Sequence, residues 1–156
     1  MGAAYFYHLT ETPLEATLPA LIGRARDAGW RVLVRGREMA LLERLDQVLW
    51  QGPPESFLPH GLAGGPHDAD QPVLLGRDVP TDGFACVMAV GGAVVTPAEV
   101  GLAERVCILF DGADPAAVAE ARGQWKALTG AGCGAQYWAQ DGGRWIKKAE
   151  AGGDPA

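Results

Sequence analysis

Ser56 and His60 are the two residues of this chain that most resemble a nucleophile and its base. Ser56 is the only serine of the sequence, and His60 follows four residues later. An activated serine needs a strained turn, an oxyanion hole and an oriented base, whereas this pair lies in a proline-rich segment without a Gly-x-Ser-x-Gly pattern. We therefore expect His60 to be a structural histidine whose ring bonds the backbone, and we expect no catalytic activity.

Two glycine-rich segments invite a search for a phosphate-binding turn. Residues 61–66 lack the Gly-Lys-Ser/Thr ending of a phosphate loop, and residues 130–134 follow a predicted helix instead of opening one. The histidines and cysteines show no metal-ligand spacing such as Cys-x-x-Cys. The sequence therefore predicts no cofactor. One alternative stays open, a small nucleotide-handling or hydrolytic α/β enzyme with a crevice around His60 and Asp111.

Apolar and cationic residues share one face of the last predicted helix. Arg122, Trp125, Lys126 and Thr129 follow Val118 at offsets of four, seven, eight and eleven residues. In one interpretation the valine and the indole are core residues, and the cations lie over the edge of the core. In the other, the stripe forms a pocket with an apolar base and a cationic rim. Such a pocket suits a short acidic peptide that ends in a hydrophobic residue and a free carboxylate.

A second candidate surface lies where the second predicted helix ends. Apolar residues recur at positions 41, 42, 45, 48 and 49, and Gly52-Pro53-Pro54 ends this helix just after Trp50. The prolines should hold an extended connection that presents Phe57 at a defined place. Trp50 and Phe57 are therefore candidates for an interface, although both aromatic side chains could instead pack into the core.

Size and charge limit the class of protein. A chain of 156 residues forms about one domain, and its net charge of −6 disfavours the phosphate attraction that dominates nucleic-acid binding. Three cysteines, two of them in apolar runs, are typical of reduced core residues in a cytosolic protein. No apolar run approaches the length of a membrane span, and the N-terminus lacks the layout of a secretory signal. We expect a cytoplasmic protein.

Strands and helices alternate along the chain, which predicts a layered α/β fold with a largely parallel central sheet flanked by helices. Its topology should be Rossmann-like without a nucleotide site, in a single domain over residues 1–149 followed by a disordered tail. Thr10, Thr12 and Pro13 are cap-like residues before the first helix, and Asp114 is the expected cap of the last. Residues 61–71 and 90–101 are expected to form loops or short edge elements, and residues 137–146 a hairpin that turns around Asp141-Gly142-Gly143.

The ordered series of residues from Leu45 to Gly64 resembles the chi subunit family of the bacterial DNA polymerase III holoenzyme. Its hallmark here is Leu45-Asp46-x-x-Leu49-Trp50, followed by Pro54-x-Ser56-Phe57, Pro59-His60 and Leu62-Ala63-Gly64. Further matches are Tyr5-Phe6-Tyr7 and residues 29–34 for the first two strands, and Arg122, Trp125-Lys126-Ala127 and Ala131-Gly132 for the last helix. The resemblance covers roughly residues 3–147.

This resemblance implies a non-catalytic accessory subunit that acts in DNA replication and contacts nucleic acid only indirectly. In the family, the last helix and the following strand bind the acidic C-terminal tail of single-stranded-DNA-binding protein. The candidate tail-binding residues are therefore Val118, Arg122, Trp125, Lys126, Trp145 and Lys147. Trp125 stands where a tyrosine is commoner, Val118 where the family has a basic residue, and residues 136–143 contain an insertion.

The resemblance also gives the Trp50 and Phe57 surface a partner. In the family these two positions bind the psi subunit, which ties chi to the clamp loader. In this chain the partner is expected to be psi or another clamp-loader component. For Trp145 and Lys147, the residues alone equally suit an ordinary edge strand protected by lysines.

Overall fold

The computed structural model describes residues 2–51, 60–64, 68 and 71–151. Eight strands and four helices follow one another along the described chain. In order they are β1 (Ala3–Leu9), α1 (Leu14–Asp27), β2 (Val32–Arg35), α2 (Met39–Trp50), β3 (His60–Leu62), β4 (Val73–Gly76), β5 (Cys86–Ala89), α3 (Pro97–Leu102), β6 (Arg105–Asp111), α4 (Pro115–Gly130), β7 (Gly134–Asp141) and β8 (Arg144–Ala151).

All eight strands form one sheet in the order β3-β4-β2-β5-β6-β1-β7-β8. Every neighbouring pair is parallel except β7 and β8, which are antiparallel. The predicted α/β fold with a largely parallel central sheet is confirmed. The buried strands β4 and β5 are apolar on both faces because helices or loops cover each side, as a parallel sheet requires.

Two apolar clusters lie on the two faces of this sheet. On one face, which we call the α1–α2 face, Leu18, Ile22, Leu42 and Leu45 pack on side chains of the sheet that include Tyr7. On the opposite face, which we call the α3–α4 face, Val100, Ala121 and Leu128 pack on Phe6, Val106 and Ile108. Alternate residues of β1 therefore serve different clusters, because successive side chains of a strand point to opposite faces.

The ends of the elements follow the sequence signals in two cases. Asp114 caps α4, since its Oδ1 accepts the Ala116 N–H at 3.0 Å. The last two strands form the predicted hairpin, and its turn uses Gly142 and Gly143 at φ values of 61° and 80°. Glycine adopts this left-handed conformation without steric cost, as a two-residue hairpin turn demands.

Two local expectations are wrong, one of them in part. Of the three cap-like residues before α1, Pro13 occupies the N-cap position, so neither threonine side chain caps the helix, and the Thr12 hydroxyl instead lies 2.6 Å from that of Thr17. Residues 90–101 contain a helix, α3, in addition to a loop. A reciprocal capping box supports it, since Thr96 Oγ1 accepts the Glu99 N–H and the Glu99 carboxylate accepts the Thr96 N–H. The expected short edge element in residues 61–71 exists as β3.

The cysteines, the end of the domain and the length of the helices also bear on the expectations from the sequence. Cys86 and Cys107 are buried free thiols, and Cys133 is partly buried. Strand β8 continues to Ala151, past the expected domain end at residue 149, and the rest of the predicted tail lies outside the described residues. Within the described ranges, none of the helices combines the length and apolarity that a membrane crossing requires.

Candidate functional site

The stripe predicted on α4 exists and lies at the margin of the core. Val118 and Trp125 are partly buried and pack against the cluster of the α3–α4 face, whereas Arg122 and Lys126 are exposed. The Thr129 hydroxyl donates to the Trp125 carbonyl at 2.7 Å and so serves the helix. Four of the predicted site residues thus meet on one side of the helix, where two cations lie beside two apolar side chains.

The position of α4 over the sheet is fixed by its neighbours. Ala121 and Leu128 are its buried residues. Gln124 makes two hydrogen bonds to the loop that precedes α3. Its Oε1 accepts the Val95 N–H at 3.1 Å, and its Nε2 donates to the Ala93 carbonyl at 3.0 Å. These contacts leave the Trp125 side of the helix facing the outer part of the sheet, where β7 lies.

Aromatic rings from the sheet form the base of this site. The Trp125 ring lies 5.3 Å from that of Phe6 and 6.0 Å from that of Tyr137, both with steep interplanar angles. The Phe6 and Tyr137 rings are nearly parallel at 6.4 Å. Such edge-to-face and stacked arrangements are favourable beyond the area that they bury. Phe6 is fully buried beneath the two partly exposed rings, so the base is a rigid apolar platform.

Tyr137 also carries a polar group into this platform. Its hydroxyl oxygen lies 2.6 Å from Nδ1 of His8, whose ring packs so closely on Gly112 that a Cβ at residue 112 would clash with it. Burial raises the pKa of the Tyr137 hydroxyl, while the nearby Arg122 charge acts to lower it. The hydroxyl is therefore within the electrostatic reach of the cation that borders the site.

Trp145 and Lys147 do not share this site. The Trp145 ring packs on the α1–α2 face, 5.1 Å from the Tyr7 ring. Lys147 is paired with Trp138, another residue of that face, and its Nζ lies 3.2 Å from the Glu150 carboxylate. The structure therefore places both residues on the opposite side of the sheet from Trp125.

Other residues of β8 face the α4 side instead. The register pairs Ile146 with Ala139 and Arg144 with Asp141, two positions that alternate along β7 with the side chains of the α1–α2 face. Ile146 remains 37% exposed. The outer strand thus presents an apolar side chain and a cation on the same face of the sheet as Tyr137. We refer to Val118, Arg122, Trp125, Lys126, Tyr137, Arg144 and Ile146 as the α4–β8 surface.

Trp50 lies at the other end of the molecule, where α2 meets the edge strand β3. Its side chain is 52% exposed, so it is not a core residue, and its ring lies 4.6 Å from that of His60. His60 is buried, with Nε2 at 3.2 Å from the Asp46 carbonyl oxygen and 3.3 Å from Oδ1 of the same residue. This agrees with a structural histidine, although the bonded backbone belongs to α2. Phe57 lies outside the described residues.

The pair expected for an enzyme does not form one site. His60 begins β3, whereas Asp111 ends β6, and three strands separate β3 from β6 in the sheet. Because these strands run parallel, His60 also lies at the amino ends of the strands, whereas Asp111 lies at their carboxyl ends. The hypothesis of a joint catalytic crevice around His60 and Asp111 is therefore wrong.

A crevice of about 600 Å³ does lie at the carboxyl ends of β1 and β6 and includes Asp111. The Asp111 side chain accepts the Ala113 N–H at 2.9 Å, which is a turn-forming bond. Two arginines of the lining face carboxylates, Arg37 with Glu120 at 3.3 Å and Arg44 with Glu15 at 3.5 Å. These bonds give Asp111, Arg37 and Arg44 roles within the fold and lend no support to a phosphate-binding site.

Sequence reasoning missed Tyr137 of the α4–β8 surface and its hydrogen-bond partner His8. They lie 129 residues apart, and β1 and β7 become neighbours only in the folded sheet. The alternation of residues along β1 indicates which of its side chains share a face. No local signal tells which face meets α4.

Comparison with known proteins agrees with the hallmark residues. The family model described as DNA polymerase III chi subunit, HolC, matches residues 1–136, which is most of the chain. The search of curated proteins returned no match. The matched part includes α4 and all strands up to the start of β7, whereas β8 lies beyond it. The chain belongs to the DNA polymerase III chi subunit family, whose role is that of an accessory subunit of this polymerase in DNA replication.

Proposed function

We propose that this protein binds the acidic C-terminal tail of single-stranded-DNA-binding protein and links that protein to the clamp loader. The observation that carries the proposal is the geometry of α4. Exposed Arg122 and Lys126 lie beside Trp125 on α4, and the indole of Trp125 rests on the aromatic platform of Phe6 and Tyr137. An acidic peptide with an apolar end offers a matching partner for each part of this surface.

The charge distribution favours such a peptide over nucleic acid. The protein carries a net charge of −6, so its overall field repels phosphate backbones. The α4–β8 surface nevertheless contains three cations, Arg122, Lys126 and Arg144, around partly exposed apolar side chains. A short peptide can use this local attraction, whereas a long polyanion would also meet the acidic remainder. Contact with DNA would therefore be indirect.

Arg122→Ala provides the direct test of the tail contact. We expect a peptide with acidic residues and an apolar C-terminal residue to bind the variant about tenfold more weakly, the loss of one exposed charge-assisted hydrogen bond. Isothermal titration of both proteins measures this ratio, and added salt should weaken wild-type binding because exposed charges are screened. Arg24→Ala is the matched control, an exposed arginine of α1 on the opposite side of the sheet. Equal affinity of wild type and Arg122→Ala would contradict the proposal.

We also propose that the exposed Trp50 side chain belongs to the surface that binds psi or another clamp-loader component. An indole that is 52% exposed at the end of a helix suits an aromatic anchor at an interface. Phe57, seven residues further along the chain, would be the second anchor of the same surface.

Co-purification tests this second contact. Trp50→Ala should reduce the recovery of the clamp-loader components of the same organism with the tagged protein, because truncation of an interface tryptophan is usually costly. Leu102→Ala is a suitable control, since Leu102 is an exposed apolar residue on α3. Unchanged recovery with Trp50→Ala would exclude this side chain from the interface.

A further inference from the structure

Tyr137 places a hydrogen-bonding group inside the otherwise apolar base of the α4–β8 surface. Its ring packs against those of Phe6 and Trp125, and its hydroxyl is held 2.6 Å from Nδ1 of His8. The Arg122 charge acts on this same hydroxyl. On α4, Arg122 precedes by three residues the Trp125 whose ring packs on Tyr137, so it lies on the same side of the helix. Lys126 lies one helical turn beyond Arg122, about 6 Å along the axis.

The hydrogen bond to His8 leaves the hydroxyl able to bind a ligand. A phenol has one hydrogen to donate and two acceptor positions. When Nδ1 of His8 carries a hydrogen, it donates to the Tyr137 oxygen, and the hydroxyl hydrogen remains for another acceptor. A carboxylate has two oxygens and can accept from a guanidinium and from a hydroxyl at the same time.

We propose that Arg122 and the Tyr137 hydroxyl together bind the terminal carboxylate of the acidic peptide, with His8 as the residue that positions the hydroxyl. This inference rests on the proposed function. It adds a polarity to the bound peptide: the terminal apolar side chain lies on Trp125, and an acidic residue upstream of it reaches Lys126. Tyr137 lies just beyond the residues matched by the family model, so the contact is argued from this chain's own structure.

Two peptides that differ only at the C-terminus test the proposal. One is the free acid and the other is the C-terminal amide, which has no terminal negative charge. We expect Tyr137→Phe to bind the free acid about five- to tenfold more weakly than wild type and the amide almost equally well, because a hydrogen bond to a charged group is lost only with the acid. Tyr5→Phe removes a hydroxyl from β1 on the α1–α2 face and is the matched control.

His8 variants test the positioning role through the same comparison. His8→Leu removes the partner of the hydroxyl and should reduce the preference for the free acid over the amide. His8→Gln restores a hydrogen-bonding side chain and should recover part of that preference. A merely structural role of His8 would weaken the binding of both peptides alike.

The outcomes separate this inference from the proposed function. If wild type binds neither peptide, both the tail contact and the carboxylate site are overturned. If wild type binds the free acid and Tyr137→Phe loses equal affinity for both peptides, or loses none, the tail contact stands and the carboxylate site is wrong. A loss confined to the free acid supports the carboxylate site.

Discussion

Trp125→Ala is expected to weaken binding of the acidic peptide about thirtyfold or more, the effect typical of truncating a tryptophan at the centre of an interface. The indole lies beside the cations of α4 and rests on Phe6 and Tyr137 at ring distances of 5.3 and 6.0 Å. Its removal takes away the apolar contact area for the terminal residue of the peptide. Titration with the free-acid peptide measures the effect.

The same substitution should also reduce stability, so folding must be measured separately. Trp125 is only partly buried, and we expect a loss of about 2 kcal/mol, below the range for fully buried aromatic residues. For a chain of this length that corresponds to a fall in melting temperature of roughly 4–8 °C. The variant therefore remains folded at 25 °C, and its affinity can be compared directly with that of wild type.

Trp125→Tyr is the matched variant. It keeps an aromatic ring on the platform, and tyrosine is the commoner residue at this position in the chi family. We expect it to retain most of the affinity. If Trp125→Ala bound the peptide as tightly as Trp125→Tyr does, the platform would not be the apolar part of the peptide site.

The parts of the fold that were predictable depend on local patterns. The apolar periodicity of residues 41–49 and the Asp114-Pro115 pair locate α2 and α4 within a few residues, because the periodicity and caps of a helix are written in consecutive residues. The α3 helix was missed although Thr96-Pro97-x-Glu99 is a capping-box pattern. That signal was outweighed by the glycine and proline residues that interrupt residues 90–101, which indicated a loop or a short edge element.

The site was only half predictable for a physical reason. Val118, Arg122, Trp125 and Lys126 share a helix face, and helix geometry alone brings them together. Trp145 and Lys147 are on a strand, where a shift of one residue exchanges the two faces of the sheet. The unbroken pairing of β8 with β7 from the turn at Gly142 to Trp138 decides that Ile146 faces the α4 side. Long-range pairing of this kind is not contained in a local pattern.

Phe6→Ala is expected to be among the most destabilising single substitutions on the α3–α4 face. Phe6 is fully buried and is the ring on which both Trp125 and Tyr137 rest. Truncation of a buried phenylalanine costs about 3–5 kcal/mol, since the apolar transfer free energy is lost and a cavity remains. The melting temperature should fall by roughly 6–20 °C. Urea unfolding followed by circular dichroism measures the change in the free energy of unfolding.

Phe6→Leu keeps most of the buried volume and should cost much less than Phe6→Ala, because the cavity is smaller. Phe6 also links stability to binding. It lies beneath the platform, so the peptide would not contact it, yet its truncation removes the support that holds the Trp125 and Tyr137 rings in place. We therefore expect folded Phe6→Ala to bind the free-acid peptide more weakly than Phe6→Leu. Equal affinity of the two variants would show that the platform keeps its shape without the buried ring.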